Sequence, residues 1–349
     1  MIRRTVLRPT LPTVPSTGPS TARLRRLGGL VLAAGLLSGC TGAPATGSAP
    51  PTSSDRFPVT VTSCGHEVTV DEPPSEVVTL NQGATEVVLA LGLADQLAGT
   101  AYLDDAVPEE WQAAYDAVPA LSAEYPTNEQ LLAARPDFVY ASYASAFEPA
   151  VAGTQDDLAA SGVGSYLSPF GCPEATDRPE ASFEAVWDEV TDVASALGHP
   201  EAAERLRDEQ EDQLADLRSG AAGEGLDVLW WDGGTKSPNV GAGDGGPQLV
   251  LDAVGATNVF GDLPGSWAEG SWEDVLAADP DVIVLVDAVW DRAADKRAYL
   301  ESDPVLSGLT AVREQRYAVV PFSASTAGVR LVDGAASLAG QLGELGLDG

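Results

Sequence analysis

The chain has 349 residues, with 52 acidic against 19 basic side chains and a formal charge of −33. That length admits about two domains, and a field of that sign repels nucleic acid and anionic lipid, so neither is expected on the folded body. The histidines are His66 and His199 alone, which argues against a His-rich zinc or manganese site, and no bound cofactor is expected.

The first segment differs from the rest. Arg3, Arg4, Arg8, Arg23, Arg25 and Arg26 precede an apolar run from Leu27 to Gly39, with no acidic residue among them. Such a run is too short to span a hydrocarbon core of about 30 Å, and the basic, apolar, small order is that of an export signal. Residues 1–39 are therefore predicted to be a signal peptide. Its loss would leave 13 basic and 52 acidic side chains, a net of −39. Leu37-Ser38-Gly39-Cys40 resembles the bacterial lipoprotein lipobox, which implies a lipidated Cys40 and an extracytoplasmic protein held at the cell membrane. From Cys40 the chain runs to residue 55 in Gly, Ala, Pro, Ser and Thr, with nothing large enough to anchor it. This is a disordered tether of roughly 20 Å reach.

Beyond the tether, alternation in RFPVTVTSCGHEVTV around Cys64-Gly65 predicts a β-hairpin. With Cys40 set aside, Cys64 and Cys172 form an even pair in an exported chain and are expected to be bridged; two buried thiols are the alternative. Short apolar strands follow at EVVTL (76–80), DFVYA (137–141), DVLWW (227–231), DVIVLV (281–286) and RYAVV (316–320), with helical stretches between them. Strands apolar on both faces and separated by helices predict parallel sheets covered on both sides. Between the halves, Phe183, Val186, Trp187, Val190, Val193, Ala194 and Leu197 make one helical face. Gly198-His199-Pro200 breaks it, and a charged helix runs to about Leu217. The predicted organisation is an N-terminal α/β lobe (56–178), a helical connector (179–220) and a C-terminal α/β lobe (221–349).

One sentence is written twice. NEQLLAARPDFVYAS (128–142) and WEDVLAADPDVIVLV (272–286) share Glu, Leu, Ala, Ala, Pro and Asp at matched places 144 residues apart. Each copy reads as a helix, a proline stop and a buried strand, capped by Thr127 with Gln130 and by Ser271 with Asp274. The copies imply two related lobes, with Glu129 and Glu273 exposed at the positive ends of their helices; helix electrostatics alone would account for either one.

The lipobox, tether, paired lobes and connector, together with VVTLNQGATEVVLALGL (77–93), GGPQLVLDAVGATNVF (245–260) and the two repeats, resemble the substrate-binding lipoproteins of ABC importers. The similarity is to the helical-connector class that carries ferric siderophores, haem and cobalamin. It implies a monomer that binds a small metal chelate, a ferric siderophore or a corrinoid, and hands it to ABC permease subunits. It also implies that Glu129 and Glu273 dock on those subunits.

Open α/β sheets bind ligands beyond the carboxyl ends of their strands. There the sequence offers Asn81, Gln82, Tyr102 and Tyr143 in the first half and Trp231, Trp267 and Trp290 in the second. Singly, each aromatic suits a core as well as a cleft. Tyr102, Tyr143, Trp267 and Arg330 also match ligand-facing places in the resembling family, Arg330 with a salt bridge or a surface charge as its alternative; Lys236 and Arg292 are weaker candidates. So few cations favour a neutral or cationic chelate over an anionic catecholate. GAGDGG (241–246) matches a dinucleotide fingerprint but does not follow DVLWW directly, and is read as a flexible loop at the cleft rim. No G-x-S-x-G elbow is present, and an enzyme is not expected; a hydrolase using two carboxylates stays open as a remote alternative.

Overall fold

The computed structural model describes residues 56–347, so the predicted signal peptide, Cys40 and the tether lie outside the described residues. The first element is an antiparallel hairpin of β1 (Val59–Ser63) and β2 (His66–Val70). Its two turn residues, Cys64 and Gly65, have φ of 51° and 75°, the paired positive angles of a type I′ turn. The Cys64 sulfur is bonded to that of Cys172, 108 residues on, with the Cα atoms 5.3 Å apart.

The first lobe runs β3 (Val77–Leu80), α1 (Gln82–Ala90), β4 (Leu97–Ala101), α2 (Glu109–Asp116), β5 (Ala120–Ser122), α3 (Asn128–Ala133), β6 (Phe138–Ala141), α4 (Gln155–Ala160) and β7 (Gly164–Leu167). Its five strands are parallel, in the order β5-β4-β3-β6-β7. The connector is α5 (Phe183–Ala196) and α6 (Pro200–Gly220), split at Gly198, whose φ is 85°. Pro200 opens α6 at its first turn, where a missing N–H leaves no bond unmade.

The second lobe runs β8 (Asp227–Gly233), β9 (Asn239–Gly241), α7 (Gly246–Val254), β10 (Thr257–Asn258), β11 (Trp267–Glu269), α8 (Trp272–Ala278), β12 (Val282–Asp287), α9 (Ala293–Ser302), α10 (Thr310–Arg313), β13 (Tyr317–Pro321) and α11 (Leu331–Leu345). Its strand order is β11-β9-β8-β12-β13, with β10 beside β8. The strands β8, β12 and β13 are parallel, β9 runs against β8, and β11 runs against β9. The fold is α/β: two lobes of mostly parallel sheet flanked by helices and joined by a helical connector. The short antiparallel strands had no signal in the sequence, because three residues carry too little alternation to register.

Period-2 geometry sorts the apolar strand residues into layers. Val77, Phe138 and Tyr140 face one way with Val228, Trp230, Val284 and Val286, in a core shared with α5, α7 and α11. Their neighbours Val78, Leu80, Val139 and Ala141 face α3 and α4. Leu229, Trp231, Ile283 and Leu285 face α8, α9 and α10. The core therefore runs continuously from one lobe through the connector to the other, and the sheets are buried on both faces as their sequences predict.

The repeat acquires a structural role here. Asp137 accepts the backbone N–H groups of Ser75 (2.7 Å) and Glu76 (3.0 Å), at the entrance to β3. Asp281 accepts that of Asp227 (3.0 Å), at the entrance to β8. Each copy thus holds the start of the strand that its own strand pairs with.

Candidate functional site

Strand order reverses between β3 and β6 in the first lobe and between β8 and β12 in the second. Loops leaving neighbouring strands diverge at such points and leave a crevice past the carboxyl ends. A cavity of about 1090 Å³ lies there, walled by Ser142 and Tyr143 from one lobe and by Trp267 and Phe322 from the other. The backbone at the first switch point is held tightly. Ala84 N donates to Ser142 Oγ at 2.8 Å. Asn81 sits at φ 75°, ψ 159°, a region nearly reserved for glycine, and Tyr102 at φ 63°. Non-glycine residues held at such angles cost about 1–3 kcal/mol each and concentrate at functional sites.

On the N-terminal wall Tyr143 lines the cavity and is 39% exposed. Tyr102 does not line the cavity and is edge-on to Tyr125, with ring centroids 4.7 Å apart. The Tyr125 hydroxyl donates to Asn81 Oδ1 at 3.0 Å and lies 2.9 Å from Ser145 Oγ. Desolvation inside the cleft, and then the nearby Asp104 charge, raise the Tyr143 phenol even though the residue is 39% exposed, so it stays a neutral donor. Asp104 also lines the cavity, and Glu189 of α5 joins it with its oxygen accepting the Tyr140 hydroxyl at 2.6 Å.

The C-terminal wall is aromatic. Phe322 stacks on Trp267 (6.3 Å, 25°) and meets Trp290 edge-on (5.2 Å, 71°). Trp290 is 60% exposed at the outer end of this group, and Trp267 and Phe322 line the cavity itself. Phe322 was missed in the sequence, although an aromatic directly after RYAVVP sits where a ligand-facing residue is sought. The glycines of GAGDGG serve close packing rather than flexibility: a Cβ on Gly243 would collide with the Gly261 carbonyl oxygen, and one on Gly245 would sit 2.5 Å from Ser266 Cα. The rim position holds, since Asp244 lines the cavity.

Two sequence candidates are corrected. Trp231 is 1% exposed and packs on Trp272 at 5.1 Å in the outer layer, its indole N–H donated to Gly233 O at 2.6 Å. Strand alternation turns it away from the cleft, so it is a core residue. Arg330 is 9% exposed and does not line the cavity. Its Nη1 donates to Ser323 Oγ (2.6 Å) and to Glu86 Oε1 (3.2 Å), with Asp105 Oδ1 at 3.7 Å. Glu86 and Asp105 belong to the first lobe and Ser323 and Arg330 to the second, so the arginine braces the lobes. Burial raises the Glu86 carboxyl to about 7, and Arg330 opposes the rise. Of the weaker candidates, Arg292 pairs with Asp287 at 3.1 Å, and Lys236 is exposed and off the cavity.

Glu129 and Glu273 are both exposed in the first turns of α3 and α8. Thr127 and Gln130 form the full reciprocal capping box, whereas Ser271 accepts the N–H groups of Glu273 and Asp274 without a returning side-chain bond.

The chain is similar to several known proteins. It is 27% identical over 318 residues, 89% of this chain and 94% of the relative, to the ABC transporter substrate-binding lipoprotein YvrC of Bacillus subtilis. The crystal structure of a periplasmic binding protein from Veillonella parvula is 27% identical, with a TM-score of 0.69 over 81% of this chain and 96% of that one. That of an ABC-type Fe3+-hydroxamate transport system from Saccharomonospora viridis is 26% identical, with a TM-score of 0.67 over 82% and 99%. The model of the periplasmic binding protein family matches residues 77–324, from the first strand of the parallel sheet to the segment that carries Phe322, and the chain belongs to that family.

Proposed function

We propose that this protein is the extracytoplasmic substrate-binding component of an ABC importer, lipidated at Cys40, which captures a ferric siderophore between its lobes and delivers it to a membrane permease. The carrying observation is the cavity of about 1090 Å³ at the switch points of both sheets, walled by aromatics of both lobes. Pockets for small molecules run to about 1,000 Å³, so this one suits a large, compact chelate. Tyr143, Trp267 and Phe322 supply broad apolar faces at little rotamer entropy, with Tyr102 and Trp290 flanking them. The similarity to an Fe3+-hydroxamate transport protein supports a ferric hydroxamate.

Charge narrows the class. Asp104, Glu180, Glu189, Asp232 and Asp244 line the cavity against one basic residue, Arg178, which is exposed and donates to Cys172 O at 2.7 Å. A catecholate complex of high negative charge meets repulsion there, and a neutral or cationic hydroxamate does not. Delivery then uses Glu129 and Glu273, one on each lobe, as the surface read by the permease. Closure on binding is small, because α5, α6 and the Arg330 brace tie the lobes together.

The test is tryptophan fluorescence of the purified protein titrated with ferric hydroxamates, ferric catecholates, haem, cobalamin and free metal salts. Saturable submicromolar quenching by a ferric hydroxamate is the expected result. Quenching by cobalamin alone would move the cargo to the corrinoids. Silence across the panel, or turnover of any compound in it, would overturn the reading, the latter in favour of a hydrolase.

A further inference from the structure

The charges around the cleft are unequally used. Among the described residues, the cations near it are already engaged: Arg178 by the Cys172 carbonyl oxygen (2.7 Å), Arg330 by Glu86 and Ser323, Arg292 by Asp287, and Lys296 by the carbonyl oxygens of Val286 (2.5 Å) and Asp291 (3.0 Å). Most carboxylates are engaged too. Asp105 accepts the Ser323 N–H (2.8 Å) and Gln82 Nε2 (2.6 Å), Glu189 accepts Tyr140, Asp232 accepts Asn239, and Asp244 accepts the Gly265 N–H. Glu180, which is exposed, and Asp104 are the exceptions, and of the two only Asp104 is buried. Its backbone is bonded on both sides, its N–H to Gln82 Oε1 (2.8 Å) and its carbonyl oxygen to the Val289 N–H (3.2 Å). The residue is 7% exposed and lines the cavity, and its carboxylate has no hydrogen-bond partner among the described residues.

A buried carboxylate is ordinarily paired, because leaving one without a partner is costly. Burial and the neighbouring Asp105 push this one up to about 6, so at neutral pH it is an anion in a site that resists it. The neighbouring charge is Asp105, and Asp104 in turn opposes ionisation of the Tyr125 and Tyr143 phenols. A buried carboxylate that shares the cavity wall with Tyr143 combines the two features that recognise an organic ammonium: an opposite charge and the negative face of an aromatic ring.

We propose that Asp104 is the anchor for a cationic group on the bound molecule, so that the cleft selects chelates that carry an ammonium. This rests on the chelate reading and narrows it: the apolar walls hold the bulk of the complex and Asp104 chooses among complexes by charge.

The probes are ferrioxamine B, a ferric trihydroxamate with one pendant ammonium, and its N-acetylated form, which has the same iron centre and no charge on that arm. Titrated into the purified full chain at pH 7.5, the ammonium form is expected to bind about tenfold to a hundredfold more tightly, the range of a desolvated charge pair. Asp104→Asn, checked for an unchanged melting temperature, is expected to reduce that ratio to about twofold or less. Equal affinities in the unaltered protein overturn the inference and leave the chelate reading standing, with no variant required. A preference that survives in Asp104→Asn removes Asp104 from the role. Binding of neither complex overturns the hydroxamate reading and the inference with it.

Discussion

Arg330 and Glu86 meet across the lobe boundary at 3.2 Å, with the carboxylate wholly buried and the guanidinium nearly so. The Glu86 carboxyl stands above its ordinary 4.5, at about 7, through burial. Its protonated form therefore contributes stability that is fully present below about 4.5 and is lost as pH rises through about 7. Arg330 limits that loss. Arg330→Met is expected to destabilise the protein by about 3 kcal/mol at pH 8, the scale of a buried pair deprived of one partner, and by clearly less at pH 5. Urea unfolding at the two pH values checks this, and an equal effect at both would refute the coupling.

The indoles divide by place. Trp267, in the cavity wall, is expected to carry the largest share of ligand-induced quenching, so Trp267→Phe should abolish most of it and weaken binding about tenfold. Trp231→Phe, in the outer core, should lower stability by about 1–3 kcal/mol and leave the quenching amplitude in place. Paired titrations and melts of the two variants decide the matter; an amplitude that follows Trp231 would place the ligand elsewhere.

The Cys64 to Cys172 bond closes a loop over a separation of 108 residues. Constraint of the unfolded chain on that scale is worth up to about 5 kcal/mol. Replacing both cysteines by serine is expected to reduce unfolding free energy by about 2–5 kcal/mol, measured in urea under non-reducing conditions, with the unaltered protein in dithiothreitol as a second route to the same state.

Glu129 and Glu273 do not line the cavity. The double substitution to alanine is expected to leave ligand affinity within about twofold and stability within about 1 kcal/mol, since exposed first-turn carboxylates contribute only through the helix dipole. Uptake into cells should nonetheless fall at least about tenfold. Normal uptake by a folded, ligand-competent variant would exclude the docking role.

Several features were legible because they rest on local rules. Apolar strands such as EVVTL and DVIVLV, the proline after each repeat helix, the Cys64-Gly65 turn and the break at Gly198 follow from period, propensity and backbone geometry within a few residues. The repeat predicted two related lobes because the same local instructions were written twice. Side-chain destinations were a different matter. Trp230 and Trp231 are adjacent and chemically alike, and only the register of β8 against β12 sends one to the shared core and the other to the outer layer. Arg330 read as a ligand-facing cation, with a salt bridge only as an alternative, because its partners, Glu86 and Asp105, lie more than 220 residues away in sequence. Asp104 carried no signal at all in a chain crowded with acids. Its distinction is that it is buried at the cavity without a partner while Asp105, Glu189, Asp232 and Asp244 each found one, and that is decided by which groups the folded lobes bring within hydrogen-bonding distance.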